Sequence, residues 1–320
     1  FRRVLFRSYL SAGKPTVSVD LPELSQFEGL VRLATAPADF SREVTAALQP
    51  EWNTAEHIDA RKSFARRQTW AHRAADLDKA LATINEPKVS VVVLCYNNIE
   101  FTQACLHSID LYSDYPNLEI IAVDNASSDG TPECLREWAA AADNRVFIRN
   151  DSNLGFSAGN NVGLRAATGE YLVILNNDTY VTPGWVRGLS RHLKRNPDTG
   201  IIGPVTNNIG NEARIEIHYA DMEEMVLRAG EYTRRHAGIS FEMSAAAFFC
   251  VMLTRRAYET VGPMDEDFGV GFFEDDDYCR RLSLAGFEVR CADDVFVHHH
   301  LSASFNKLKA EAKQALFETN

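Results

Sequence analysis

From residue 89 onward, apolar runs with the length of buried strands alternate with helix-like stretches, and this alternation constrains the fold more than any other feature. The strand-like runs are VSVVVLCY (89–96), LEIIAVD (118–124), RVFIRN (145–150) and YLVIL (171–175). The helix-like stretches between them cover residues 102–111, 132–142 and 158–167. Strands and helices that alternate at this spacing predict an α/β fold with a mostly parallel central sheet flanked by helices.

Polar residues follow three of the predicted strands directly. They are Tyr96-Asn97 after the first strand, Asp124 with its Asn-Ala-Ser-Ser-Asp-Gly loop after the second, and Asn176-Asn177-Asp178 after the fourth. In sheets of this kind, ligands bind at the carboxyl ends of the strands. The sequence therefore predicts a ligand site at these three positions.

The Asn176-Asn177-Asp178 stretch suits a metal site. Mg²⁺ and Mn²⁺ prefer oxygen ligands, and they need only one or two carboxylates when a substrate diphosphate supplies the rest. Asp178 with a neighbouring amide fits that requirement. A simple polar turn is the structural alternative, since Asn and Asp are common turn residues.

Asp124 and the glycine-rich loop after the third strand have both a structural and a functional interpretation. Asp124 can hold loop amides, or it can accept hydrogen bonds from a base N–H or ribose hydroxyls. The loop that includes Asn153, Gly155 and Asn160 lets the backbone approach a ligand, but it lacks the Gly-Lys-Ser/Thr ending of a P-loop. Neither stretch decides between the two interpretations by itself.

The second half of the sequence supplies further acids and histidines. Four acids run from Glu274 to Asp277, and a helix N-terminus explains one or two of them by its dipole. Proton transfer or a cation would explain the others. We expect Asp277 and Arg281 to pair one helical turn apart. Residues His298, His299 and His300 end a strand-like run, and imidazole binds Mn²⁺ or Zn²⁺, although surface histidines are an alternative.

Composition excludes some classes of function. The net charge of −11 argues against a nucleic-acid binder, because no surplus of basic residues is present to neutralise phosphates. The longest uninterrupted apolar stretch, residues 245–253, is far too short to span a membrane, and FRRVLFRSYL at the N-terminus lacks the apolar region of a signal peptide. Scattered cysteines without a C-x-x-C pair are typical of a reducing compartment. We therefore expect a cytoplasmic protein.

The predicted organisation has three parts. Residues 1–87 are polar and alanine-rich, with helical spacing at Trp70, Ala74 and Leu77, and we interpret them as a mainly helical N-terminal extension or the tail of a preceding domain. Residues 88–308 form the α/β domain, and residues 309–320 begin a C-terminal helix. Because the sequence begins with Phe1 rather than Met, we expect it to belong to a larger multidomain protein.

Together the motifs resemble those of family 2 glycosyltransferases. The motifs that carry the resemblance are C-Y-N-N, V-D-N-A-S-S-D-G-T, N-L-G-F-S-A-G-N-N-V-G-L, G-E-Y-L-V-I-L-N-N-D-T and F-F-E-D-D-D-Y-C-R-R, in this order. The resemblance implies a GT-A fold with a Rossmann-like sheet, an inverting reaction, a nucleotide-diphosphate sugar donor and a divalent metal ion, Mn²⁺ or Mg²⁺. The sequence is most similar to rhamnosyltransferase-like bacterial members that build surface polysaccharides.

The resemblance also implies a role for each matching residue. Asp124 contacts the nucleotide base, and Asp178 binds the metal, although this motif has Asn176 where the family usually has Asp. Glu274 and Asp275 match a catalytic Glu-Asp pair, with Asp275 as the base. The remaining expected donor-binding residues are Tyr96, Asn97, Asn153, Gly155, Asn160, Asn176 and Asn177. His299 is an expected metal ligand, but the triple repeat leaves the register open, so that His298 or His300 could take its place.

The sequence leaves two other functions open. The chain could be a non-catalytic, donor-binding or scaffolding domain of a larger synthase. It could also be a sugar-1-phosphate nucleotidyltransferase, although no G-x-G-T-R-like loop lies near the first strand. For the transferase, the expected donor is a dTDP-, UDP- or GDP-sugar. The expected acceptor is a glycan or lipid-linked glycan, which would place the protein in the cytoplasm or at the inner face of the plasma membrane.

Overall fold

A computed structural model describes residues 8–27, 29–67, 69–72, 74, 77, 86–269 and 271–300. The chain divides into two compact units, with the boundary between residues 85 and 86. The predicted C-terminal helix that begins at residue 309 lies outside the described residues. Among the helices of the described ranges, none is both long enough and apolar enough to cross a membrane.

The first unit is small and contains helices together with two short strands. Strands β1 (Val17–Val19) and β2 (Arg32–Ala34) pair in parallel, and helices α1 (Phe40–Ala47) and α2 (Ala55–Arg66) follow. Its buried cluster is small and contains Leu10, Leu24, Phe27 and Val31. In the stretch with helical spacing, residues 70–72, 74 and 77 are helical, and the side chains of Trp70 and Leu77 are exposed.

The second unit is built on one nine-stranded sheet. Its strands are β3 (Val89–Cys95), β4 (Leu118–Asp124), β5 (Arg145–Arg149), β6 (Tyr171–Asn176), β7 (Thr179–Val181), β8 (Thr199–Val205), β9 (Ser240–Glu242), β10 (Cys250–Thr254) and β11 (Glu288–His299). The spatial order is β5-β4-β3-β6-β10-β8-β11-β7, and β9 pairs with β11. Every strand predicted from the apolar runs is present in this sheet.

Helices cover the sheet. They are α3 (Ile99–Tyr112), α4 (Thr131–Ala140), α5 (Phe156–Ala166), α6 (Trp185–Arg195), α7 (Met222–Arg235), α8 (Arg255–Val261) and α9 (Glu274–Leu284). The predicted helices correspond to α3, α4 and α5 with ends shifted by one to three residues. The boundaries shift because capping residues, rather than the apolar spacing, decide where a helix begins and ends.

The sheet is mixed, whereas the sequence predicted a mostly parallel one. Strands β3 to β6 pair in parallel, but β10 runs antiparallel to both of its neighbours, and β7 and β9 run antiparallel to β11. Parallel neighbours need a crossover that returns the chain to the edge where the first strand began. Helices α3, α4 and α5 provide these crossovers between β3, β4, β5 and β6. The predicted α/β fold is confirmed, and the antiparallel strands of the second half are an addition, because apolar runs give the position of a strand but not its direction.

The core lies on both faces of the sheet because successive strand residues point to opposite sides. Val91 and Val93 belong to one buried cluster, and Val92 belongs to the other. Helix α5 approaches the sheet so closely that an added methyl group at Gly163 would collide with Val92. This close packing fixes the position of the start of α5 relative to the ends of β3 and β4.

Candidate active site

The three polar stretches predicted from the sequence lie at one edge of the sheet. Cys95 at the end of β3 is the register partner of Asp124 at the end of β4, and Leu94 is the partner of Asn176 at the end of β6. Because these strands are parallel, their carboxyl ends meet at the same edge. The prediction of a common location for these stretches is confirmed.

Asp124 uses its two carboxylate oxygens differently. The side chain is fully buried, and Oδ1 accepts a hydrogen bond of 3.1 Å from the Ser127 backbone N–H. Oδ2 lies 3.4 Å from Nε of Arg149, which is half-exposed, and it accepts no hydrogen bond from the described residues. One oxygen therefore holds the loop, as the structural interpretation expected, and the other retains capacity for a ligand.

The end of β3 is tied to the loop that follows Asp124. Asn97 and Asn98 adopt left-handed backbone conformations, with φ of 52° and 59°, which Asn tolerates better than most residues. The Asn97 backbone N–H donates to Ser127 Oγ at 2.8 Å, and Asn97 Oδ1 accepts from the Ser128 N–H at 2.9 Å. Tyr96 remains 38% exposed at this edge. Asn97 therefore holds two strand ends together, while Tyr96 presents its ring to solvent.

Asn125 connects the strand ends with the glycine-rich loop, and the sequence analysis missed it. Its Nδ2 donates to Asn153 Oδ1 at 2.7 Å and to the Gly155 carbonyl at 3.0 Å. Its Oδ1 accepts from Asn150 Nδ2 at 3.0 Å and from the Leu154 N–H at 3.1 Å. The buried amide thus uses both donors and both acceptors. Its place directly after Asp124 is the signal that could have identified it.

The start of α5 lies beside this amide network. Gly155 has φ of 84°, a conformation that favours glycine, and Asn153 Oδ1 accepts from its backbone N–H at 2.9 Å. Asn160 is completely buried, and its Nδ2 donates to the Phe156 carbonyl one turn earlier. Asn153 and Asn160 therefore support the loop and the helix in this structure, whereas the backbone around Gly155 approaches the site.

The two asparagines of the Asn-Asn-Asp stretch are also engaged by the protein. Asn177 is buried, and its Nδ2 donates to Thr102 Oγ1 of α3 at 2.8 Å. The Asn176 backbone N–H donates to the Phe249 carbonyl, and the Asn176 carbonyl accepts from Thr179 Oγ1 at 2.7 Å. These contacts fix the turn that carries Asp178.

His299 faces Asp178 across the pairing of β7 with β11. His299 is the register partner of Thr179, and its Nε2 lies 3.4 Å from Asp178 Oδ1. Its Nδ1 donates to the Asn208 carbonyl at 3.2 Å, and the Phe249 ring stacks on it at 4.9 Å. Because Nδ1 donates this hydrogen bond, Nε2 is the ring nitrogen available to a metal ion, and it lies at the carboxylate. Both side chains are almost fully buried.

The neighbouring histidines have other partners. His298 Nδ1 lies 2.6 Å from the Tyr219 hydroxyl, and its Nε2 lies 3.2 Å from His300 Nδ1. Burial, followed by the nearby His300 and His299, lowers the pKa of His298 to about 4. Burial also lowers the pKa of His300. In the described ranges, no group of three or more His, Cys, Asp or Glu side chains is arranged to hold a metal ion. Asp178 and His299 therefore form a pair rather than a complete cage.

The two catalytic candidates lie in the first turn of α9, after a strained loop. Phe272 and Phe273 both have positive φ, 77° and 69°, which is costly for aromatic residues and is typical of functional sites. Burial is the main cause that raises the pKa of Glu274 to about 7, and Asp275 and Asp276 contribute. Burial, followed by Asp276, also raises the pKa of Asp275. These two carboxyls thus accept protons more readily than exposed acids do.

Helix α9 is fastened on the side away from these acids. The predicted pair of Asp277 with Arg281 is confirmed at 2.8 Å. The Ala246 N–H donates to Cys279 Sγ at 3.3 Å, and the Tyr278 hydroxyl donates to the Gly262 carbonyl at 3.0 Å. The helix therefore has a fixed position against the segment that leads into β10 and the turn that follows α8.

Residues 248 and 249 connect the acidic helix with the Asp178–His299 pair. The Phe248 ring contacts Tyr278 of α9 in a T-shaped arrangement, and the Phe248 backbone lies within hydrogen-bonding reach of Asp275. The next residue, Phe249, stacks on His299. The acids and the histidine thus lie on either side of one dipeptide.

The fold agrees with that of nucleotide-sugar transferases. The chain aligns with GalNAc-T7 bound to UDP, GalNAc and Mn²⁺ at a TM-score of 0.55 and 16% identity, over 68% of this chain and 44% of that one. It aligns with the mannosyltransferase PcManGT of Pyrobaculum calidifontis, in complex with GDP-Man and Mn²⁺, at a TM-score of 0.52 and 21% identity, over 73% and 67% of the two chains. The second unit therefore has the GT-A fold that the sequence predicted.

The sequence comparisons give the family. The pattern described as "Glycosyl transferase family 2" matches residues 90–262, just over half of the chain, and the protein belongs to this family. Glycosyltransferase AglE of Haloferax volcanii is 28% identical over 217 residues, 67% of each chain. The O-antigen biosynthesis protein RfbC of Myxococcus xanthus is 28% identical over 232 residues, which are 68% of this chain but 18% of RfbC. The chain thus spans only part of several of its relatives. Glu274, Asp275 and His299 lie beyond the matched range.

Proposed function

We propose that the protein is a metal-dependent, inverting glycosyltransferase. It transfers a sugar from a nucleotide-diphosphate donor to a hydroxyl group of a glycan acceptor, in the synthesis of a surface polysaccharide. The observation that carries the proposal is the convergence of Asp124, the Asp178–His299 pair and the Glu274–Asp275 pair around the ends of the parallel strands. Membership of the family supports a transferase over a sugar-1-phosphate nucleotidyltransferase.

The Asp178–His299 pair fits a divalent metal ion. His299 Nε2 is buried, lies 3.4 Å from Asp178 Oδ1 and takes part in no hydrogen bond among the described residues. A carboxylate oxygen with one imidazole is a donor set for Mn²⁺, and a donor diphosphate would supply further oxygens. When bound, such an ion would neutralise the negative charge that develops on the departing diphosphate. The solved relatives with Mn²⁺ support the same assignment.

The donor lies, in this proposal, along the ends of β3, β4 and β6. The free capacity of Asp124 Oδ2 suits a base N–H, and Arg149 beside it restricts what can approach. The exposed ring of Tyr96 offers a surface on which a base can stack. The backbone at Gly155 and at the start of α5 then borders the rest of the donor.

The acids of α9 supply the base. The acceptor hydroxyl oxygen attacks the anomeric carbon, the bond from that carbon to the diphosphate oxygen breaks, and the nucleoside diphosphate leaves with the electron pair. The hydroxyl proton passes to the Asp275 carboxylate. A single displacement of this kind inverts the anomeric configuration. The raised pKa of Asp275 makes it a better base than an exposed aspartate, and Glu274, whose pKa is also raised, lies beside it in the same turn.

A donor screen followed by one substitution tests the proposal. Thermal stabilisation by UDP-, dTDP- and GDP-sugars with Mn²⁺ would identify the donor, and a dTDP-sugar would agree with the predicted likeness to rhamnosyltransferases. Asp275→Asn should keep the affinity for that donor and lose transfer by about 100-fold or more, since general bases contribute roughly 10²–10⁴. Asp276→Asn, the same change at the exposed neighbour, should lose far less.

Two outcomes would contradict the proposal. Transfer at the wild-type rate by Asp275→Asn would remove Asp275 as the base. Donor binding without any turnover of glycan acceptors by the wild-type protein would favour the non-catalytic, donor-binding alternative.

A further inference from the structure

Strand β11 contains a large irregularity five residues before His299. Its pairing with β8 is regular from Val289, which is opposite Ile201, to Ala292, which is opposite Pro204, and resumes at Phe296, which is opposite Val205. Residues 293–295 therefore have no partner between two consecutive residues of β8. An insertion of this kind shifts every residue that follows it along the strand and changes which face each side chain occupies.

The carboxylate of Asp294 holds this bulge from one side. It is buried, with only 2% of the side chain exposed, and it accepts three hydrogen bonds. Arg191 Nη2 donates at 2.5 Å, His192 Nε2 donates at 2.6 Å and the Gly238 backbone N–H donates at 2.6 Å. Burial opposes the charge, but the hydrogen bonds from His192 and Gly238 outweigh it and lower the pKa of Asp294. A buried carboxylate with three such donors is a strong local anchor.

The rest of the bulge is also fixed to its surroundings. The Asp293 carboxylate accepts a hydrogen bond from the Tyr232 hydroxyl at 2.6 Å, and the Asp293 backbone N–H donates to the Ile239 carbonyl. Val295 packs against Gly188 of α6, where an added methyl group would overlap the valine side chain. The bulge is thus attached to α6 through Asp294 and Val295, and to the end of α7 and the loop after it through Asp293.

The part of β11 that follows the bulge carries His298 and His299, with His300 directly after it, and pairs with β7. The Phe296 carbonyl accepts from Thr182 Oγ1, and Val297, His298 and His299 then pair with β7. The His300 backbone N–H donates to the Asp178 carbonyl at 2.9 Å. In this register His299 Nε2 lies against the Asp178 carboxylate, while the rings of His298 and His300 contact each other.

We infer that Asp294, held by His192 and Arg191, is a positioning residue that fixes the register of β11 and so selects His299 among the three histidines as the partner of Asp178. The inference rests on the proposed metal-dependent function. Three successive histidines make the choice necessary, since a slip by one residue would place a neighbouring histidine opposite Asp178 without the Asn208 hydrogen bond and the Phe249 stacking that orient the His299 ring as a ligand. His299 lies five residues beyond Asp294 on the same strand, so the effect passes through β11.

His192 offers a matched pair of substitutions that tests this role. His192→Leu removes the donor to Asp294 at similar size, whereas His192→Gln retains an N–H near the position of Nε2. The affinity of the full chain for Mn²⁺ alone is measured by electron paramagnetic resonance. The electron spin-echo signal of a directly bound imidazole nitrogen is recorded as well. Glu288→Gln, a substitution on β11 before the bulge, is the control.

The expected result separates positioning from general stability. His192→Leu should bind Mn²⁺ about tenfold more weakly and lose most of the nitrogen signal, because changes to residues that orient a metal ligand cost roughly 10–100-fold in affinity. His192→Gln should restore both, and Glu288→Gln should match the wild type. If His192 only stabilised the fold, His192→Leu would have a lower melting temperature than the wild type but an intact nitrogen signal.

Each remaining outcome has a distinct meaning. Wild-type affinity and nitrogen signal in a folded His192→Leu protein would overturn the positioning role alone. If the wild-type protein itself gave no nitrogen signal, the assignment of His299 as a metal ligand would fall, and this inference with it. If His192→Leu does not fold, Arg191→Gln takes its place, since it removes one donor from a half-exposed side chain. Its nitrogen signal decides the question in the same way.

Discussion

The two halves of the central sheet present their polar groups in different ways. The parallel half, β3 to β6, orders its strand ends with neutral amides that saturate one another, and Asn125 alone makes four hydrogen bonds there. The other half brings together ionisable groups whose pKa values are shifted, among them Glu274, Asp275 and His298. The first arrangement does not depend on pH near neutrality, whereas the second does.

This difference matches a division of tasks in the proposed reaction. A donor-binding surface benefits from rigid groups that keep the same hydrogen bonds throughout. A base and its neighbours must instead change protonation state during the reaction. Asp178 follows β6 of the parallel half, and His299 ends β11 of the other half, so this pair lies where the two halves meet.

The largest expected effect concerns this meeting point. Asp178→Ala should weaken Mn²⁺-dependent donor binding by more than about 100-fold, since changes to outer partners of a metal site alone cost roughly 10–100-fold. Asn176→Ala is the matched control from the same turn, and it should cost much less because Asn176 contributes mainly backbone hydrogen bonds. Calorimetry with and without Mn²⁺ measures both. Equal donor affinity in the two variants would contradict the assignment of Asp178 as a metal ligand.

The next effect tests whether the second half depends on pH. Glu274 has a folded-state pKa of about 7, above its ordinary value of 4.5, so the folded protein binds this proton more tightly than the unfolded chain. Its contribution to stability is therefore fully present below pH 4.5 and is lost as the pH rises through about 7. Glu274→Gln should consequently stabilise the protein by up to about 3 kcal/mol at pH 8 relative to its effect at pH 4.

Urea unfolding of the wild type and of Glu274→Gln at pH 4, 6 and 8 measures this difference. A stability gap that is constant across this range would mean that Glu274 titrates like an exposed acid. The same result would weaken the contrast between the two halves.

Sequence reasoning predicted the parallel half well for a physical reason. Polar residues end or follow three of these strands, and parallel strands bring their carboxyl ends to one edge. Asp124 and Asp178 could therefore be assigned to a common edge from the order of strands and helices alone. Asn125 was missed because its role depends on Asn150 and Asn153, which approach it only after β5 has paired.

The second half was harder to predict because its geometry comes from long-range pairing. Apolar runs did not reveal that β10 enters the sheet antiparallel between β6 and β8. The position of His299, rather than His298 or His300, beside Asp178 depends on a bulge in β11, and no local sequence pattern predicts this bulge. The Asp277–Arg281 pair was predictable, since it needs only helical spacing.

A smaller effect is expected from loosening the amide network of the parallel half. Asn125→Ala removes the partner of polar groups on Asn150, Asn153 and Leu154 at a partly buried site, which should cost about 1–2 kcal/mol of unfolding free energy. The loop at Gly155 should become less ordered, and donor affinity should fall. Both changes should be the same at pH 6 and pH 8, because no titrating group is involved. Unfolding and donor binding at the two pH values check this, and a strong pH dependence would contradict the division between the halves.

The smallest effect concerns the last of the four successive acids. Asp277 pairs with Arg281 on α9, and both side chains are partly exposed. Asp277→Asn should therefore cost only about 0.3–0.5 kcal/mol, the usual contribution of such a pair along a helix. Transfer activity should change less than about twofold, because the pair acts on the helix surface and not on the acceptor. A loss of activity comparable to that of Asp275→Asn, at unchanged stability, would mean that the whole acidic run takes part in the reaction. The division between Glu274–Asp275 as the chemical pair and Asp277 as a helix-stabilising residue would then be wrong.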